Sequence, residues 1–148
     1  MARRLGIALV LALVALLPTW QFVFGGRVPA PVDWAHHSAP WNGAEPSSAY
    51  DILAMDGALQ FLPWRHFMLE SYRMGHVPLW NPNTLGGAPF LANSQSAPLY
   101  PLHWLWPFDA ESLLGFSAWL HLFIAGLGVF ALCRRLVANV WGGLVAAI

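Results

Sequence analysis

The sequence predicts an all-α integral membrane protein: part of a polytopic helical bundle with a large outer loop that carries amphipathic juxtamembrane helices. Three observations predict it. Apolar residues make up 57% of the chain and charged residues 9%, where a soluble domain carries about 25% charged. Residues 5–24 and 113–133 carry no charge at all, and each run gives roughly 30 Å of helix, the thickness of a hydrocarbon core. Finally, Arg3 and Arg4 precede the first run while Arg134 and Arg135 follow the second. The positive-inside rule then sets both ends in the cytoplasm and 26–109 outside. The outer segment, with Glu111 at its end, holds all seven carboxylates and of the arginines only Arg27, Arg65 and Arg73.

Residues 1–4 form the cytoplasmic N-terminus and 5–25 the first transmembrane helix. A cleaved signal peptide is the alternative. The apolar stretch is longer than a usual h-region and no small-x-small cleavage site follows it, and the second span is unaffected by that choice.

The loop at 26–109 starts irregularly. Residues 27–48 are rich in Pro, Ala, Ser and His, a loop composition. Asp33, His36 and His37 fall close together, but no second cluster has metal-site spacing, and a solvated loop explains them. Ser48-Ala49-Tyr50-Asp51 fits a capping box. It opens an expected helix over about 50–74, with Gly75 as terminator. Pro63 predicts a kink or two short helices. Ile52, Leu53, Met55, Leu59, Leu62, Phe67 and Met68 make this segment amphipathic, suited to the bilayer surface.

Residues 75–107 are expected to be irregular. "PLWNPNTLGGAPFLANSQSAPLYPLHWLWP" at 78–107 is charge-free and broken by prolines and a Gly86-Gly87 pair. Prolines fix the backbone and paired glycines permit a sharp turn. Asn81, Asn93 and Gln95 offer uncharged hydrogen bonds, and tryptophans such as Trp80 can cover sugar faces or sit in lipid headgroups. Trp104 and Trp106 sit where an aromatic belt is expected. The stretch reads as a rigid rim around an outer-face cavity, or as a loop that only packs on other helices.

Residues 110–133 form the second span. Asp109 is its expected N-cap, and Phe108 and Leu113 a hydrophobic staple. Gly115, Ala118, His121, Ala125 and Gly128 fall within an arc of about 140° at about 100° per residue. They predict a small-residue face for close helix packing. His121 lies on it about 15 Å from the helix start. An ionisable group at that depth is a functional candidate, against the plainer reading of a neutral imidazole bonded to a neighbouring helix. A cytoplasmic turn at 134–137 and the start of a third span at 138–148 follow. That last run gives only about 18 Å of helix, too short to cross, so the chain reads as the N-terminal portion of a longer protein.

Net charge is +0, which excludes the basic footprint of a nucleic-acid binder. Lone Cys133 excludes an intrachain disulfide. Phosphate loop, dinucleotide fingerprint, HExxH and nucleophile elbow are all absent from the sequence. What remains is 56–82, which sets Asp56, Gln60, Arg65, Glu70 and Arg73 beside the membrane. Asp56 and Gln60 share a face at i, i+4, whereas Asp51 and Asp56 do not pair. A single acid can accept a proton from a hydroxyl nucleophile or hold a divalent cation. An arginine can bind the phosphate of a lipid-linked donor. Surface helix polarity with a Glu70–Arg73 pair is the alternative.

"DGALQFLPWRHFMLESYRMGHVPLWNPNTLGGAPFLANSQSAPLYP" at 56–101 resembles the first outer loop of bacterial YfhO-like membrane proteins. The pattern is D-x3-Q-x2-PWR-x-F, then E-x2-R-x-G-x-(L/V)PLWNP, then G-x-PF-x-A-x-x-QSA, then YP. "LHLFIAGLGVFALCRRL" at 120–136 resembles the same family's next membrane helix. The resemblance covers about 50–148. It implies a large multi-pass protein of the GT-C type in the bacterial cytoplasmic (inner) membrane, where many such proteins transfer sugar from a polyprenyl-phosphate carrier on the outer face. It further implies that Asp56, and less directly Asp51, is the catalytic base or a ligand to a divalent cation (Mg or Mn). Gln60, Arg65, Arg73, Trp80, Asn81, Asn93 and Gln95 then bind substrate, and the lipid bilayer and a polyprenyl-phosphate-linked sugar are the partners. A lipid-carrier cavity needs further helices, so the 148 residues alone are expected to be inactive. Two rivals remain: a non-enzymatic scaffold or envelope-assembly protein whose outer loop binds glycan or a partner, and a transporter-like polytopic protein.

Overall fold

A computed structural model describes residues 2–31, 40, 54–104, 109–137 and 139–148. Asp33, His36, His37, the capping box at 48–51 with Asp51, and Trp106 and Phe108 lie outside the described residues. The chain divides into two compact units, Met1–Arg27 with Gly115–Ile148, and Val28–Leu114. Each is described by itself.

The first unit is helical. α1 spans Ala2–Val23, α4 spans Ala110–Val137 and α5 spans Val140–Ala146. Arg4–Val23 and Ala110–Leu136 are long and apolar enough to cross a membrane. Few of their residues are buried. Leu5, Leu9, Leu13 and Leu17 form an i, i+4 stripe along α1, and each is more than half exposed. Water would penalise a contiguous apolar stripe of that length.

α1 turns Leu11, Ala15 and Thr19 inward. The Thr19 hydroxyl donates to the Ala15 carbonyl at 2.8 Å, which satisfies a buried polar group within its own helix. Against this face stand Gly115, Trp119 and Gly126 of α4. A Cβ on Gly115 would lie 2.5 Å from the Phe22 carbonyl oxygen. The Trp119 indole donates to the Ala12 carbonyl at 3.0 Å, and Gly126 faces Leu11. The expected small-residue face is therefore only partly turned to α1. Gly115 makes the close approach, but His121, Ala125 and Gly128 are exposed. The seam follows 115, 119 and 126, which share one narrow arc of the helix, and Trp119 reaches from it to a backbone acceptor. α5 returns against α4 through Gly143, which sits beside the Phe130 ring and the Arg134 stem. Asn139 caps it, its side chain accepting from the Trp141 amide at 3.0 Å. At the end of the unit where α1 begins and α4 finishes, Arg4, Arg134 and Arg135 line a cavity of about 550 Å3 with Ile7, Phe130, Ala131 and Val140.

The second unit is built on the helical run that ends in α2, Leu62–Arg73. A kink or two short helices are expected at Pro63, and the run changes helix type there. Residues Gly57–Phe61 are a π-helical turn, and the Leu62 amide donates to the Gly57 carbonyl. A proline ring clashes with the carbonyl four residues earlier in an α-helix, and the wider i→i+5 turn accommodates Pro63 at the first turn of α2. Gly75 ends the helix as expected. It has φ +77°, its amide donates to Tyr72 and the His76 amide to Ser71, both at 2.9 Å. That pair of bonds is a Schellman motif.

The charge-free stretch is mostly irregular, with two short regular pieces. β1, Trp80–Asn81, pairs antiparallel with β2, Ala88–Pro89, and α3 is one turn, Pro101–Trp104. The core is small: Met68, Leu69, Phe90, Ala110 and Leu113, with Leu62, Trp64, Phe67 and Tyr72 packed on it. Phe67 and Phe90 meet edge to face at 5.0 Å, a favoured aromatic geometry. Asp109 caps α4 as expected, accepting from the Ser112 amide at 2.7 Å.

Candidate functional site

Asp56 stands at the head of the π turn, exposed, with its carboxylate not used to cap the helix. The Gln60 side-chain amide donates to Asp56 Oδ1 at 3.2 Å, so the i, i+4 pair expected from spacing forms. Gln60 fixes one carboxylate oxygen and leaves the rest of the group open to a ligand. A π turn inserted into a helix is frequently a functional site, because it re-aims side chains at the cost of poorer backbone geometry.

Nine residues on, Arg65 is half-buried in a second cluster. Its Nη1 lies 2.6 Å from His103 Nδ1, and His103 is 3% exposed. The guanidinium can only donate. With Arg65 in place Nδ1 therefore accepts, and the imidazole proton sits on Nε2. The Ala97 carbonyl, 2.9 Å from the same nitrogen, is then a neighbour of His103 rather than its acceptor, and it takes the Tyr100 amide at 3.0 Å. Burial lowers the Arg65 pKa to about 10, because desolvation penalises the charged form. Among the described residues, Arg65 has no carboxylate within ion-pair distance.

The same segment is clamped from a second side. The Tyr72 hydroxyl donates to the Pro98 carbonyl. The Trp104 indole N–H lies 2.8 Å from that carbonyl and 3.3 Å from the Tyr72 oxygen. Ala97 is held at φ +44°, a left-handed conformation that L-residues keep only where surroundings impose it. Sequence reasoning missed His103 and Tyr72, and read Trp104 as an aromatic-belt residue rather than as part of this clamp. Their partners lie six to 38 positions away, and the one available hint was a histidine in an otherwise charge-free stretch.

The remaining predicted residues separate by role. Trp80 is half exposed, and its ring covers Gly87, where a Cβ would come 2.5 Å from the indole nitrogen. Asn81 is buried, accepting from the Asn83 amide at 2.9 Å and donating to Thr84 Oγ1 at 3.0 Å. Asn93 accepts from the Gln95 amide at 3.1 Å. These are side-chain-to-backbone turns of the kind asparagine favours. Gln95 is exposed, as is Arg73 in the last turn of α2. His121 turns back on its own helix, with Nδ1 2.6 Å from the Ser117 carbonyl. Asp51 lies outside the described residues.

The structure thus joins Asp56 to Gln60 and Arg65 to His103. Among the described residues no hydrogen bond or ion pair links these two pairs. Outside them, His66 and Glu111 meet at 2.9 Å, both exposed, and tie α2 to the first turn of α4. Asp109 beside them has its pKa lowered, chiefly by the Ser112 backbone hydrogen bond. Among the described residues no three His, Cys, Asp or Glu converge in a metal-binding group. Asp56 with an amide neighbour is a poor divalent-cation site by itself, since hard cations take several oxygen ligands.

Compared with known proteins, the chain matches no family model, no curated protein and no solved structure.

Proposed function

We propose that this chain belongs to a multi-pass protein of the bacterial inner membrane, N-terminus inside and 26–109 outside, that resembles GT-C glycosyltransferases. In this reading it moves a sugar from a polyprenyl-phosphate donor to an envelope acceptor. The observation that carries the reading is Asp56: an exposed carboxylate at a π turn, free of capping duty and oriented by Gln60. As general base, Asp56 takes the proton of the acceptor hydroxyl. The hydroxyl oxygen bonds to the anomeric carbon, the bond from that carbon to the phosphate oxygen breaks, and polyprenyl phosphate leaves. Arg65, a half-buried cation beside His103 Nδ1, or Arg73 pairs with the departing phosphate.

The test is Asp56→Asn in the intact protein, reconstituted with a lipid-linked sugar donor. Transfer should fall by at least about 100-fold, the range of general acid–base catalysis, while the protein stays inserted and folded. Retained transfer contradicts the assignment.

A second reading, a non-enzymatic scaffold or envelope-assembly protein, is favoured by a different observation. The amide oxygens of Asn81 and Asn93 are used in turns, which suits a loop built to hold its own shape. Glycan binding without sugar release or transfer by the purified intact protein would select it.

A further inference from the structure

The helical unit carries positive charge that it cannot neutralise from within. Residues 1–27 and 115–148 contain no aspartate or glutamate. Arg4 from the start of α1 and Arg134 and Arg135 from the end of α4 nonetheless line one cavity of about 550 Å3. Charges of one sign so gathered repel each other, and a countercharge from outside the unit relieves that repulsion. Arg134 makes other contacts in the protein, but none of them is to an acidic side chain of this unit, because it has none.

The rest of the cavity is hydrocarbon: Ile7, Phe130 and Val140 complete its wall. α5 approaches closely enough to form that wall because Gly143 lacks a side chain. A Cβ there would lie 3.3 Å from the Phe130 ring. The cavity also lies at one end of two helices long and apolar enough to cross a membrane. Guanidinium groups donate paired hydrogen bonds to phosphate oxygens, and basic pockets between spanning helices suit acidic lipid headgroups.

We propose that this cavity binds the phosphate of an anionic phospholipid, with Arg4, Arg134 and Arg135 on the phosphodiester and Ile7, Phe130 and Val140 along the glycerol and upper acyl chain. The shared chemistry is a phosphate anion. The apolar wall favours a lipid over free phosphate. This site is independent of the role given to Asp56.

The experiment uses the full chain purified in uncharged detergent with mixed phosphatidylcholine and phosphatidylglycerol, and counts retained lipid by native mass spectrometry. The parent should retain phosphatidylglycerol in preference to phosphatidylcholine. Each Arg→Gln change should weaken that preference roughly fivefold, and Arg4→Gln/Arg134→Gln/Arg135→Gln on the order of 100-fold, as expected at about 1 kcal/mol per arginine. Arg27→Gln, at the other end of α1, should leave it unchanged. If the triple variant loses helix content by circular dichroism, Arg4→Gln and Arg135→Gln singly decide. Equal retention of the two lipids by the parent, or parental retention in the Gln variants, overturns the proposal. Displacement of the lipid by inorganic phosphate overturns the lipid assignment in favour of a free-anion site.

Discussion

The helical unit and the loop-rich unit solve opposite problems with the same chain. In the first, α1 and α4 satisfy their backbone polar groups within each helix, and side chains need only meet along a narrow seam at Gly115, Trp119 and Gly126. In the second, a charge-free stretch with little regular structure must find partners for its carbonyls one at a time. It does so through Tyr72, Trp104, Asn81 and Asn93. Local composition therefore determines the first unit, and long-range contacts determine the second. The polar chemistry collects where long-range contacts rule: every Asp and Glu of the chain lies in the second unit.

The strongest way to break this contrast is Phe90→Ala. Phe90 is the largest fully buried side chain of a small core, and such truncations cost about 3–5 kcal/mol. Near-ultraviolet circular dichroism should show loss of aromatic packing in the second unit, while far-ultraviolet helix signal from α1 and α4 persists. Joint loss of both signals would mean that the units are not separable.

Gly115→Ala tests the seam. A Cβ would meet the Phe22 backbone, and forced repacking costs about 1–3 kcal/mol. Gly128→Ala, with open space around it, should be neutral or stabilise the helix by up to about 1 kcal/mol. Unfolding in detergent would order the two variants, and equal effects would contradict the seam.

Asp109 gives the smallest effect and a pH signature. Asp109→Ala should cost about 0.5–2 kcal/mol, the usual loss of an N-cap. The folded state lowers the Asp109 pKa. Its stabilisation is therefore fully present above the ordinary aspartate range and is lost as pH falls through the lowered folded value. Asp109→Asn keeps a cap and should remove that part of the acid dependence in a melting series.

How far the sequence could be read follows the same division. The two long helices, the Asp109 cap and the Gly75 terminator were legible because each rests on neighbours within a turn or two. Pro63 announced a break, but not that Gly57–Phe61 would widen into a π turn, since proline position alone does not choose between a kink and a wider turn. The seam between α1 and α4 was not legible, because spacing records which residues share an arc, not that Trp119 would reach the Ala12 carbonyl. Asn81 and Asn93 as turn formers were readable in principle, each lying two residues before the amide it accepts. The Arg65–His103 contact spans 38 positions and leaves no local trace.

The proposed function depends on which side of the membrane the second unit faces, and one labelling experiment measures that directly. In the intact protein with Cys133→Ser, a cysteine is introduced by Leu85→Cys, a fully exposed position in the loop between β1 and β2. Cells are then treated with a membrane-impermeant maleimide. The account predicts labelling of intact cells once the outer membrane, where there is one, is made permeable. Protection until the inner membrane is opened would set the second unit inside, and would contradict the outer-face transfer site.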